Sequence, residues 1–135
     1  MRALTIYLAG CFILPAVAQT NDLWFTLMGT LADGHTDTVQ LNMSRISKAE
    51  HIESMELRVS LGERRTNGSE VYQSYWSTIE IDCANSSIVH VEQRRYEGPR
   101  WTGAETFQRF TETRPMAFTG LQPNPKERVL KAACR

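Results

Sequence analysis

Val71-Tyr72-Gln73-Ser74-Tyr75-Trp76-Ser77-Thr78-Ile79-Glu80-Ile81-Asp82-Cys83 is dense in aromatic and β-branched residues and reads as one long β-strand. Asn85-Ser86 supplies a turn, and Ile88 to Tyr96 returns as a second strand. Side chains alternate across a strand, so Ile79, Ile81 and Cys83 share one face of the first strand. Val89 and Val91 share a face of the second, and these two faces are the core candidates. Glu92 and Arg94 then point the other way.

Working outward, a period of two recurs far more often than a period of 3.6. Met55, Leu57, Val59 and Leu61 alternate with Glu56, Arg58 and Ser60, the pattern of a half-buried strand. The polar stretch from Gly62 to Glu70, which contains Asn67-Gly68, is expected to be a hairpin loop. Leu23–Leu27 and Thr36–Met43 are earlier strands, separated by the Asp33-Gly34 turn signal. A weaker strand follows over Glu105–Thr111. One helix closes the chain: Asn124 caps it, Pro125 fits its first position, and Glu127 stands three residues after the cap. Val129, Leu130, Ala133 and Cys134 fall on one side of that helix. These elements predict an α+β fold, an antiparallel β-sheet of about five to six strands with a C-terminal α-helix packed on it.

The N-terminus predicts export. Met1-Arg2 is a short basic region, Ala3 to Leu14 is largely apolar, and Ala16-Val17-Ala18 presents small residues for cleavage between Ala18 and Gln19. Residues 1–18 are thus a signal peptide and 19–135 a single domain. Leu8-Ala9-Gly10-Cys11 has the form of a lipoprotein box, but its preceding apolar stretch is too short and Phe12-Ile13-Leu14 prolongs it, so lipidation of Cys11 is not expected. The apolar run also falls short of the roughly 20 residues of a membrane span. After cleavage only Cys83 and Cys134 remain of the three cysteines. In an oxidising compartment they can pair only with each other, and the pair would tether the helix to the sheet.

The chain has 15 basic and 15 acidic residues, so no charge argument favours nucleic acid or an acidic membrane. His35, His51 and His90 lack metal-ligand spacing, and His90, between Val89 and Val91, reads as an exposed sheet-face histidine. No nucleophile elbow, phosphate loop or zinc-protease helix occurs. Both remaining thiols are consumed by the bridge, so the expectation is a protein that is not an enzyme and takes no cofactor. Asn-x-Ser triplets at Asn42, Asn67 and Asn85 would matter only in a eukaryotic host. One segment concentrates the residue types of interface hot spots: Arg94, Arg95, Tyr96, Arg100 and Trp101. The competing reading has Trp101 capping the core and the arginines paired with nearby acids.

The run Thr78-Ile79-Glu80-Ile81-Asp82-Cys83, the strand ending in Arg95-Tyr96, the terminal helix with Cys134, the export signal and the Asp37-Thr38-Val39-Gln40-Leu41 segment together resemble the surface-adhesin protein E family. These are small extracytoplasmic proteins of Gram-negative bacteria. The resemblance implies an antiparallel sheet whose C-terminal helix is held by a disulfide, and adhesion to host proteins. Two functions follow as expectations. One is an exported, non-enzymatic module binding a host-matrix or cell-envelope protein at the cell surface. The alternative is a periplasmic accessory or structural protein without a host ligand, a homodimer through an exposed sheet edge being its structural route.

Overall fold

The computed structural model describes residues 23–44, 46–115, 118 and 120–134. The predicted signal peptide, its Ala18–Gln19 cleavage site and Cys11 lie outside the described residues. Seven strands and one helix follow in order: β1 Trp24–Met28, β2 Thr38–Asn42, β3 Ser47–Ala49, β4 Ile52–Asn67, β5 Glu70–Asp82, β6 Ser87–Tyr96, β7 Glu105–Pro115 and α1 Lys126–Ala133. The strands form one antiparallel sheet in the order β1-β2-β4-β5-β6-β7, with β3 folded back on β4.

The core follows from the alternation. Val39 and Leu41 of β2, Met55, Leu57 and Val59 of β4, and Ile79 and Ile81 of β5 are fully buried on one face. Against that face lie Val129 and Ala133 of α1, together with Phe118 and Leu121 from the segment that leads into it. Leu130 and Cys134 pack at the margin of the same cluster, so the apolar stripe read from the sequence is the stripe that docks. Cys83, just beyond β5, is bonded to Cys134, just beyond α1, with Cα atoms 5.5 Å apart. The opposite face of the sheet has no helix over it among the described residues.

The helix starts one residue later than expected, with Pro125 at the N-cap instead of the first helical position, and Asn124 before it accepts the Lys126 amide through Oδ1 at 2.9 Å. Replacing Asn124 with alanine should cost about 1 kcal/mol of stability, measurable by urea unfolding, with no change in the sheet's spectroscopic signature.

The structure corrects three expectations. The Gly62–Glu70 loop is strand: β4 runs on to Asn67, and only Gly68-Ser69 turn the chain into β5. A glycine is needed at 62 because an added Cβ would sit 2.0 Å from the His35 carbonyl oxygen, which crosses β4 there. The additional strand β3 has only Ala49 as apolar content and forms because Lys48 lies opposite Glu53, whose carboxylate is buried on the core face and bonded to the lysine at 3.2 Å. The β6 face assignment also shifts. A bulge opposite Thr78–Ile79 pairs Ile81 with Ile88 and Ile79 with His90, so Ile88 and His90 look toward the core and Val89 does not. His90 is therefore no exposed sheet-face histidine. It stacks on Phe110 at 5.5 Å, and burial pushes its pKa down to about 4.

Candidate functional site

On the face away from the helix, the registers line up a row of side chains across the sheet. Thr26, Gln40, Arg58, Trp76, Arg94 and Phe107 are successive cross-strand neighbours from β1 to β7. From β4 to β7 the outward positions thus assemble into an alternation of guanidinium and aromatic groups, Arg58, Trp76, Arg94 and Phe107.

Arg58 is the centre of this face. Its guanidinium lies 3.9 Å from the ring centroid of Trp24 and 4.0 Å from that of Trp101, with Trp76 at 5.7 Å. All three tryptophans of the chain therefore converge on one arginine. Trp24 meets Trp76 edge-on, with centroids 5.1 Å apart. The arginine's Nε donates to Gln40 Oε1 at 2.7 Å, and Gln40 Nε2 donates in turn to Thr26 Oγ1 at 2.9 Å. A cation held between two rings in this way gains about 0.5–1 kcal/mol per ring at an open site, more when water is excluded.

Trp101 reaches this position through a turn that costs backbone strain. Arg100 and Trp101 have φ of 53° and 60°, the left-handed region that non-glycine side chains disfavour. Hydrogen bonds hold them there. Ser60 Oγ accepts the Arg100 amide at 3.1 Å, Ser74 Oγ accepts the Trp101 amide at 2.9 Å, and the Trp101 indole donates to the Tyr75 carbonyl at 3.2 Å. Ser60 and Ser74 are buried, so they are the fixed points and the turn is fitted to them. Strain held by such a network is a recurrent sign of a functional position.

Beside the cluster, Glu56, Trp76, Thr78, Glu92 and Arg94 border a shallow depression. Glu56 accepts a hydrogen bond from Asn42 at 3.2 Å, and Glu92 pairs with Arg109 at 3.2 Å.

The predicted arginine segment is divided by the fold. Arg94 is on the outer face, exposed, with its Nε 4.0 Å from Glu105. Its neighbour Arg95 points to the opposite face, bonded to Glu70 at 2.8 Å and to Gln93 at 2.8 Å, and lies over Tyr72. The Thr106 hydroxyl and then Arg95 hold the Glu70 carboxyl below its usual range against the opposing effect of burial. Tyr96 has its phenol pushed up, first by burial and then by the Glu105 carboxylate. Arg100 is exposed, and Trp101 joins the Arg58 cluster. Of the five residues, the fold brings Trp101 and Arg94 to one surface and sends Arg95 elsewhere.

Trp24, Gln40, Arg58 and Trp76 were not singled out from the sequence. The polar alternation of β4 places Arg58 outward, but only the strand registers bring Trp24 and Trp76 to it, and only the Arg100–Trp101 turn brings Trp101.

Among the described residues there is no group of three or more side chains able to hold a metal ion, and no helix is long and apolar enough to cross a membrane. Comparison with curated proteins and with solved structures finds no match. The family model for surface-adhesin protein E matches residues 24–135, from the first residue of β1 to the end of the chain. With the disulfide-held helix on an antiparallel sheet already in place, the conclusion is direct: this chain belongs to the surface-adhesin protein E family.

Proposed function

We propose that the chain is an exported, non-enzymatic protein-binding module that engages its partner through the helix-free face of the sheet. The observation that carries this reading is the convergence of Trp24, Trp76 and Trp101 on Arg58 at an uncovered face. Tryptophan and arginine dominate interface hot spots because they combine large apolar area with directed polar contacts at little entropic cost. A rigid ladder of such groups is already ordered before binding, which lowers the ordering cost of association. Arg94, exposed next to Trp76, and Phe107, exposed beyond it, extend the surface.

Export rests on the N-terminal pattern, with cleavage after Ala18 leaving Gln19 first. Adhesion to a host-matrix protein is the specific function this supports, given the family. The test is capture of purified extracellular-matrix proteins by the immobilised chain, paired with protease treatment of intact cells. Arg94→Ala and Trp76→Ala are expected to weaken capture at least tenfold each, about 1.4 kcal/mol or more. Unchanged capture by both variants would remove the face from consideration. Digestion on intact cells supports surface display, whereas protection places the protein in the periplasm and favours the accessory role.

A further inference from the structure

Of the six large apolar side chains left exposed among the described residues, four gather at one corner of the sheet: Leu23, Phe25, Met43 and Ile46. Phe25 is the cross-strand neighbour of Leu41, which is fully buried in the core, so Phe25 stands on the helix side of β1. Residues two apart on a strand share a face, which puts Leu23 and Met43 on that side too. The Met43 amide donates to the Leu23 carbonyl at 2.8 Å and joins the two. Ile46 follows in the bend that leads into β3. Leu23 and Phe25 are 62% and 56% exposed, so the helix side is covered over β2, β4 and β5 and open at this corner. A contiguous apolar patch of this kind marks a surface that meets something other than water.

The groups that border the corner say what that is. Arg128 of α1 donates to the Leu27 carbonyl at 3.0 Å, which sets one flank of the helix against β1. Lys131, three residues further along α1, is exposed on a neighbouring line of the helix. Altogether α1 carries Lys126, Arg128 and Lys131 against Glu127 alone. On β3, Lys48 is bonded to Glu53 at 3.2 Å and neutralises that buried carboxylate. The balance of 15 basic and 15 acidic residues thus conceals a local cationic excess beside the apolar corner.

None of the four side chains carries a hydrogen-bonding group, in contrast to the tryptophans and arginines that order the opposite face. Such a patch offers a protein partner little direction, but it suits a bilayer boundary, where acyl chains accept apolar side chains of any shape. Lysine and arginine at its rim reach the phosphates on their long apolar stems. An added strand is a poorer occupant, because β1 has only 5 residues and its ladder is interrupted by a register shift between Thr26 and Met28.

We propose that the corner formed by β1 and α1 rests on an anionic phospholipid surface. Leu23, Phe25, Met43 and Ile46 enter the boundary between headgroups and acyl chains, and Lys126, Arg128 and Lys131 meet the phosphates. The helix-free face lies on the other side of the sheet and stays open, so membrane contact and partner binding do not compete. This contact is independent of what that face binds.

Flotation of the purified chain with vesicles tests it. The chain should float with vesicles of phosphatidylethanolamine and phosphatidylglycerol, should float far less with phosphatidylcholine alone, and should be released as salt rises. Phe25→Ser should weaken binding at least tenfold and Lys131→Glu at least fivefold, with thermal unfolding of each variant confirming that it folds. Orientation is read with an environment-sensitive dye. Attached at Phe25→Cys, it should shift to the blue on addition of the anionic vesicles, whereas at Thr26→Cys, on the opposite face of the same strand, it should not. Absence of flotation, or equal dye shifts at both positions, would overturn the proposal. So would a Phe25→Ser chain that floats as well as the native one and differs only in its own sedimentation, since the corner would then be a contact between copies of the chain.

Discussion

Unfolding of the Cys83→Ser/Cys134→Ser chain is expected to require about 2–4 kcal/mol less free energy than unfolding of the native chain. The bridge closes a 51-residue separation, spanning β6, β7 and the segment that carries Phe118 and Leu121 into the core. Opening it restores to the unfolded chain the freedom that the loop had removed. The folded state is affected unequally, because α1 has 8 residues and a helix of that length is unstable in isolation. Besides the bridge, its docking rests on Val129 and Ala133 in the core, on the Asn124 side chain that accepts the Lys126 amide, and on a hydrogen bond from Arg128 to the Leu27 carbonyl at 3.0 Å. Amide exchange should therefore show the α1 amides losing protection far more than those of β4 and β5. Guanidinium unfolding of native chain with and without reductant provides the comparison, and the double-serine chain should be indifferent to reductant. Equal stability in both states would mean that packing alone docks the helix.

What could be read in advance was the part of the fold that depends on local chemistry. Alternation in β4 and β5 identified Met55, Leu57, Val59, Ile79 and Ile81 as core, and all are fully buried. The Asn124-Pro125 start and the apolar stripe of α1 likewise need only neighbours in sequence. Reading failed where a distant residue decides. β3 exists because Lys48 reaches Glu53, and nothing in Ser47-Lys48-Ala49 favours a strand. β4 runs on through Gly62, where the close His35 carbonyl leaves room only for glycine, a contact between segments far apart in sequence.

The site was hidden for the same reason. Trp24, Arg58, Trp76 and Trp101 belong to four separate segments, and the pairing of β4 with β5 changes register between Ser60 and Arg65. Counting back from the Gly68-Ser69 turn would place the wrong residue opposite Trp76. The arginine-rich segment was visible because it is contiguous, yet contiguity on a strand sends adjacent side chains to opposite faces, as Arg94 and Arg95 show. The proposed binding surface is a product of register and of the Arg100–Trp101 turn, not of local composition.

The bulge that turns His90 inward leads to the second large effect, a loss of stability in mild acid. Burial, and secondarily the charge of Arg95, lowers the His90 pKa from 6.5 to about 4. Its surroundings explain this: Ile79 is its neighbour on β5, Phe110 stacks on its ring, and Arg114 is its backbone partner on β7. Its Nδ1 is buried and has no hydrogen-bond partner among the described residues, so an added proton would find no acceptor there. The unfolded chain takes up that proton near pH 6.5, while the folded chain refuses it until about pH 4. Between those limits the unfolded state binds more protons, so stability falls as the pH falls, and the loss is complete near pH 4. The shift corresponds to about 3 kcal/mol. Asp82 and Glu70, whose carboxyls are held below their usual ranges, contribute acid sensitivity only at lower pH, where they themselves become protonated. His90→Phe preserves the aromatic contact with Phe110 and removes the titrating group. Urea unfolding at intervals from pH 7 to pH 4 should show the native chain weakening and the variant holding nearly level through the upper part of that range. Parallel curves for the two chains would mean that His90 takes up its proton at the same pH in the folded and unfolded states and that the acid response originates elsewhere.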